Sequence, residues 1–215
     1  MESLSNTLQP YKEIVGTVAG VVTIGQMFSG SLMCYDIYKQ GTTGSTGIMP
    51  FLGGLIMGVL NLKYGYMLRD DTMILVNFVG IALSIIYLMI YFNYAPNKMA
   101  VWAKMGLAGA FSAACIGYTE YENPAHVEHR FGLIITAFMF WLIASPLFGL
   151  GTIIKNKSTE GMPFPIIFSG TIVTFMWLLY GIILKNNFLV VSNLQYLDFF
   201  IIYLLRYTKQ FRQNI

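Results

Sequence analysis

The sequence predicts an all-α integral membrane protein. Seven transmembrane helices form two like-oriented three-helix repeats joined by a linker helix (3+1+3). Three observations predict it. The 215 residues are 56% hydrophobic and 11% charged, against ~45–50% and ~25% in soluble domains. The apolar residues come in blocks long enough to cross ~30 Å of hydrocarbon at ~1.5 Å per helical residue. The chain also matches itself when shifted by 116 residues. A surface so poor in charge excludes an ordinary soluble enzyme, a disordered chain and a nucleic-acid binder.

Taken in order, residues 1–13 form a polar stretch without a basic n-region. The apolar block after it, 14–37, is too long for a signal peptide, so it reads as a true span. Spans at 47–68 and 72–92 complete a first repeat, 14–92. Residues 93–130 hold the linker, with a span at 101–119. Spans at 131–154, 163–184 and 188–207 make the second repeat, 131–207, and 208–215 is a short tail. No stretch remains for a separate water-soluble domain. Cys34 and Cys115 both fall inside apolar segments and read as packed thiols.

Basic residues set the orientation. Lys39, Lys98, Lys104, Lys155, Lys157, Arg206, Lys209 and Arg212 fall on one side; Lys12, Arg69, Arg130 and Lys185 fall on the other. The richer side is cytosolic by this rule, which puts the N-terminus outside and the C-terminus inside.

The repeat is carried by NLKYGYMLRDDTMILVN (61–77) and WLLYGIILKNNFLVVSN (177–193), identical at five of 17 positions. Chance gives about one match. The same shift pairs Ser29 with Ser145, Thr43 with Thr159 and Tyr87 with Tyr203; it sets Gly30 opposite Pro146 and Arg69 opposite Lys185. Three spans reverse direction and the linker span restores it. The repeats therefore sit the same way up, which is the parallel-repeat plan of a transporter.

Asn77 and Asn193 share one depth by the repeat. An unpartnered amide in hydrocarbon costs several kcal/mol, so each makes an interhelical bond or lines a polar cavity. Each offers donors and an acceptor that suit a sugar's neighbouring hydroxyls. Trp177 and its counterpart Asn61 precede their Tyr-Gly by three residues and share a helix face with Tyr180 and Tyr64. An indole face can pack on the C–H side of a sugar ring. Tyr64 and Tyr180 suit an aromatic belt or a constriction above the site. Pro50, Pro146, Pro163 and Pro165 are expected to bend or pivot the spans, with Gly30 in the same set.

TTGSTGIMPF, the YG of span 2, SPLFG, KSTEGMPFPI, WLLYG and the paired asparagines together resemble the SWEET sugar transporters. The resemblance covers about residues 14–207. It implies a seven-helix fold and facilitated, uncoupled sugar movement in either direction. It further implies that Asn77, Asn193, Trp177 and Asn61 line the sugar site. Tyr64, Tyr180, Arg69 and Asn186 would form an outer gate. Gly30, Pro50, Pro146 and Pro163, with the adjacent Pro165, would form an inner hinge. The chain departs from the family pattern at Gly30, where a proline is usual, at Ser192 before Asn193, at Tyr196 and at Asn186.

Asp198 falls near mid-membrane, where a carboxylate costs roughly 2.5 kcal/mol or more unless paired, protonated or wetted. It is a protonated or cavity-facing acid of no mechanistic weight, or a proton-coupling or substrate-contacting group; Lys63 could partner it if the spans meet. The His126–His129 pair alone is weak grounds for a metal. The sequence thus calls for no cofactor, no metal and no nucleic acid. The expected partners are a mono- or disaccharide and the bilayer, with a homo-oligomer left open. The plasma membrane is the expected location, with Golgi or other endomembrane as the alternative. The rival function is a proton-coupled PQ-loop-type exporter of an amino acid or similar solute, with Asp198 its best support.

Overall fold

The computed structural model describes residues 2–44, 46–156, 164–195 and 197, and their side chains except within 143–156 and 164–167. Every regular element among them is helical. In order these are α1 (Glu2–Leu8), a 3₁₀ turn (Gln9–Tyr11), α2 (Lys12–Met27), α3 (Gly30–Gln40), α4 (Met49–Leu68), α5 (Asp71–Tyr94), α6 (Lys98–Tyr121), α7 (Val127–Asn156) and α8 (Phe164–Ile183). A further helix, α9, begins at 187 and is described to 195. α4, α5 and α6 hold 20, 24 and 24 residues and are apolar enough to cross a membrane. At ~1.5 Å per residue they reach about 30–36 Å.

Local chemistry sets the helix limits. Asp70 accepts from the Met73 amide at 2.9 Å and so caps α5. Asn97 does the same for α6 through Ala100, at 3.0 Å. Such caps satisfy amides that have no partner inside the helix. Ala95, extended before Pro96, stops α5.

The beginning of the chain differs from expectation. A polar tail was expected over 1–13, yet α1 and the 3₁₀ turn lead directly into α2. Ser5 is fully buried. Its hydroxyl donates to the Ile183 carbonyl at 3.2 Å, and the Gln9 side-chain amide donates to the same oxygen at 3.0 Å. Ile183 ends α8, where carbonyls lack helical partners. The polar segment folds because it covers a helix end.

The chain divides into two compact units. One gathers the start of the chain as far as Gln26 with the segment from Thr136 onward; the other is Met27–Ile135. In the second unit α4 packs on α5 and α6, and α3 on α5. Its core includes Phe51, Leu60, Tyr64, Leu88 and Phe131. In the first unit α1 packs on α8, and Ala19, Tyr180 and Ile183 are buried. Val21, Phe78, Met89 and Leu107 are exposed, as suits a surface solvated by lipid tails. Cys34 and Cys115 are both free and buried.

The loop after α6 is fastened by Glu122, which accepts from the Tyr118 hydroxyl, from the Asn123 amide at 2.9 Å and from Arg130 at 2.7 Å. The Tyr118 bond first, then the Asn123 amide and Arg130, hold its carboxyl down at about 2. Lys63, a conditional partner for Asp198 on sequence grounds, pairs with Glu120 of α6 at 2.7 Å. Asp198 lies outside the described residues.

Candidate functional site

The repeat-matched residues sit on two helical corners, one in each unit. α4 ends with Arg69 in the left-handed region (φ 52°). The Arg69 amide donates to the Tyr66 carbonyl at 3.3 Å and the Asp70 amide to the Gly65 carbonyl at 3.0 Å. This is a Schellman closure, in which two amides take up carbonyls that the helix end orphans. α8 ends the same way. Lys185 has φ 55°, its amide donates to the Ile182 carbonyl at 3.1 Å, and the Asn186 amide donates to the Gly181 carbonyl at 2.9 Å.

The match continues into the next helix. Asp70 caps α5, and Asn186 caps α9 by accepting from the Leu189 amide at 3.0 Å. A β-carbon on Gly65 would lie 3.1 Å from the Met73 β-carbon; on Gly181 it would lie 2.9 Å from the Leu189 β-carbon. Both glycines permit the helices of the corner to touch. Gly65/Gly181, Arg69/Lys185, Asp70/Asn186 and Met73/Leu189 all stand 116 residues apart.

Each corner leads to its asparagine. The Asn77 side-chain amide donates to the Met73 carbonyl at 2.8 Å, and that of Asn193 to the Leu189 carbonyl at 2.8 Å. Asn77 is half-buried and Asn193 is 8% exposed. An amide group has two N–H donors and a carbonyl acceptor. One N–H is spent on the residue's own helix. The other N–H and the oxygen bond no described residue. Leaving such groups dry costs about 1–3 kcal/mol each, so both are suited to a polyhydroxy guest.

Asn61 is likewise bonded back to its own helix, through the Met57 carbonyl at 3.0 Å. Trp177 cannot do this and finds an acceptor elsewhere: its indole N–H donates to the Thr23 hydroxyl of α2 at 2.8 Å. Tyr180 meets the indole edge-on, with ring centroids 5.7 Å apart and planes at 78°. Tyr64 packs beside Phe131 at 6.4 Å. Tyr64 and Tyr180 are each 2% exposed. The structure therefore brings Trp177 and Tyr180 together directly, and keeps Asn61, Tyr64, Arg69 and Asn77 within the other unit. Asn186, expected at a gate, also has a local duty as a helix cap.

The hinge residues divide. Pro50 lies in the first turn of α4, where the missing N–H breaks no helical bond. It begins this span and does not bend it, which corrects the expectation of a kink there. Pro165 lies in the first turn of α8, with the same consequence. Pro146 is inside α7, and Pro163 lies outside the described residues. Gly30 marks a real interruption. α2 stops at Met27 and α3 starts at Gly30. A β-carbon on Gly30 would lie 2.5 Å from the Tyr87 ring. The Tyr87 hydroxyl donates to the Met27 carbonyl at 3.1 Å, and Phe51 backs the ring at 6.0 Å. Tyr87 thus fills the space that glycine leaves and satisfies a carbonyl at the break. Sequence reasoning paired Tyr87 with Tyr203 but gave it no role. The glycine opposite Pro146 was the available signal that this bend is made by other means.

Comparisons with known proteins bear on the fold and on the repeat. The family model described as sugar efflux transporter for intercellular exchange matches residues 13–99 and 129–213. The two matches begin 116 residues apart, the spacing of the repeat. The chain is similar to the sugar transporter SWEET1 of Homo sapiens, 32% identical over 180 residues, covering 80% of this chain and 79% of that one. It is 29% identical over 187 residues to the sugar transporter SWEET1 of Drosophila pseudoobscura pseudoobscura, covering 84% and 81%. Similarity extends to the bidirectional sugar transporter SWEET9 of Arabidopsis thaliana, at 27% over 186 residues. A 3.7 Å structure of a eukaryotic SWEET transporter superposes with a TM-score of 0.85 at 21% identity, covering 95% of this chain and 98% of that one. The fold class expected from the sequence is the fold of that match.

Proposed function

The chain belongs to the SWEET family of sugar transporters, and from that premise we propose that it is a uniporter for a neutral mono- or disaccharide. Sugar moves in either direction by alternating access, driven by its own gradient. Asn77, Asn193, Trp177 and Asn61 contact the sugar. Tyr64, Tyr180, Arg69 and Asn186 form the outer gate; Gly30, Pro146 and Pro163 form the inner hinge, with Pro50 and Pro165 only starting their spans. The N-terminus is outside, the C-terminus cytosolic, and the plasma membrane is the site of action.

The observation that carries this reading is the duplicated corner. In each unit an asparagine of the same register spends one N–H on its own helix, while its other N–H and its oxygen bond no described residue. Such neutral donors and acceptors suit hydroxyls better than an ion.

The test is flux of radiolabelled sugars in proteoliposomes, with and without a pH gradient. Dissipative equilibration of a neutral sugar is expected, unaffected by the gradient. Asn193→Ala is expected to remove the flux while the protein stays folded and inserted. Uphill uptake driven by protons would favour the exporter reading. Wild-type flux from Asn193→Ala would refute the proposed site.

A further inference from the structure

We propose that Thr23 is a positioning residue for sugar recognition, holding the Trp177 indole in the orientation that presents its face to the substrate. The proposal rests on the reading that Trp177 contacts the sugar, and adds a residue that no repeat or motif marks.

The geometry fixes both partners. A threonine hydroxyl has one proton and two lone pairs. The proton of Thr23 is committed to the Ala19 carbonyl, 2.6 Å away on its own helix. That commitment turns a lone pair outward, and the Trp177 indole N–H occupies it at 2.8 Å. Tyr180, itself buried, meets the same ring edge-on at 5.7 Å. Thr23 and Trp177 are both half-buried. An indole turns about only two side-chain bonds, so one directed hydrogen bond and one ring contact leave it little freedom. Thr23, Trp177 and Tyr180 all lie in the same compact unit.

The repeat shows why this device occurs once. The counterpart of Trp177 is Asn61, which reaches its own Met57 carbonyl and needs no outside acceptor. The counterpart of Thr23 is Met139, which has no hydroxyl. Thr23 stands in the first repeat and Trp177 in the second, and the counterpart pair, Met139 and Asn61, offers neither the hydroxyl nor the indole. The Thr23 hydroxyl also ties the indole to α2 one helical turn before that helix stops at Met27.

The test uses full-length protein carrying Trp102→Phe and Trp141→Phe, which leaves Trp177 as its one fluorophore of that kind. Thr23→Val keeps the shape and removes the acceptor, while Thr23→Ser keeps it. Radiolabelled glucose and sucrose are the probes. Thr23→Val is expected to raise KM about five-fold, the equivalent of one hydrogen bond, with maximal flux within about two-fold. Time-resolved anisotropy of Trp177 without sugar is expected to show a freer indole in Thr23→Val and an unchanged one in Thr23→Ser.

Trp177→Phe, made in the native background, removes the same bond from its other end. Combined with Thr23→Val it is expected to be no worse than either alone, and it carries the test should Thr23→Val fold poorly. Unchanged KM and anisotropy in Thr23→Val, or equal defects in the serine and valine variants, would overturn the role of Thr23. That result would leave the sugar site intact provided Trp177→Ala abolishes flux. Wild-type flux in Trp177→Ala would overturn both.

Discussion

Gly30→Ala probes the interruption of the first span. The added methyl would sit 2.5 Å from Cε2 and 2.9 Å from Cδ2 of Tyr87. Carbon atoms prefer about 3.5–4.0 Å, so something must move by about 1 Å. Tyr87 yields poorly. It is 8% exposed, backed by Phe51 and tied through its hydroxyl to Met27. Overpacking of this kind costs about 1–3 kcal/mol. For a chain of this length that lowers Tm by about 2–4 °C per kcal/mol, or roughly 4–8 °C at the middle of the range. Thermal unfolding of detergent-purified protein, followed by intrinsic fluorescence, measures it. Tyr87→Phe keeps the ring and the clash, and separately loses one membrane hydrogen bond, about 1 kcal/mol. Tyr87→Ala removes the ring, so in that background Gly30→Ala should cost less than about 0.5 kcal/mol. An alanine tolerated at position 30 beside the intact ring, or an equal loss without the ring, refutes the account.

Two further outcomes are expected. Lys185→Gly relieves a left-handed backbone that costs a side chain about 1–2 kcal/mol. Against the extra entropy of glycine in the unfolded chain, Tm should rise by a few degrees with flux unchanged; a fall would show that the lysine side chain matters more than its φ. The Glu122 carboxyl, held at about 2 by Tyr118, Asn123 and Arg130, lies below its unfolded value near ~4.3. Its contribution to stability is therefore whole above about pH 4.3 and fades as pH falls toward 2. Glu122→Gln should flatten Tm against pH between about 5 and 3, and an unaltered slope would remove Glu122 as its source.

The spans were legible because length and apolarity alone decide what can cross hydrocarbon, and the described helices begin and end near the expected limits. The corner was legible in part. Tyr-Gly and the paired asparagines marked it by identity, whereas Arg69/Lys185 and Asp70/Asn186 differ in residue yet hold the same backbone. Sequence could not supply partners chosen in three dimensions. Trp177 finds its acceptor 154 residues away, and Ser5 finds a helix end 178 residues away. Pro50 was misread because proline bends a helix only from its interior, and position within the helix depends on where the first turn starts. α1 was missed because its polar residues look like solvated tail until the Ile183 carbonyl is there to receive them.

The twin corners behave as interchangeable joints. Their curvature is stored in main-chain bonds and in one short oxygen-bearing side chain, so a graft of residues 65–74 in place of 181–190 would bring the whole bend with it. After the gene doubled, the lettering on either copy was free to wander while the joinery stayed put. That freedom allows one arm to carry an indole and the other a carboxamide without either helix losing its place.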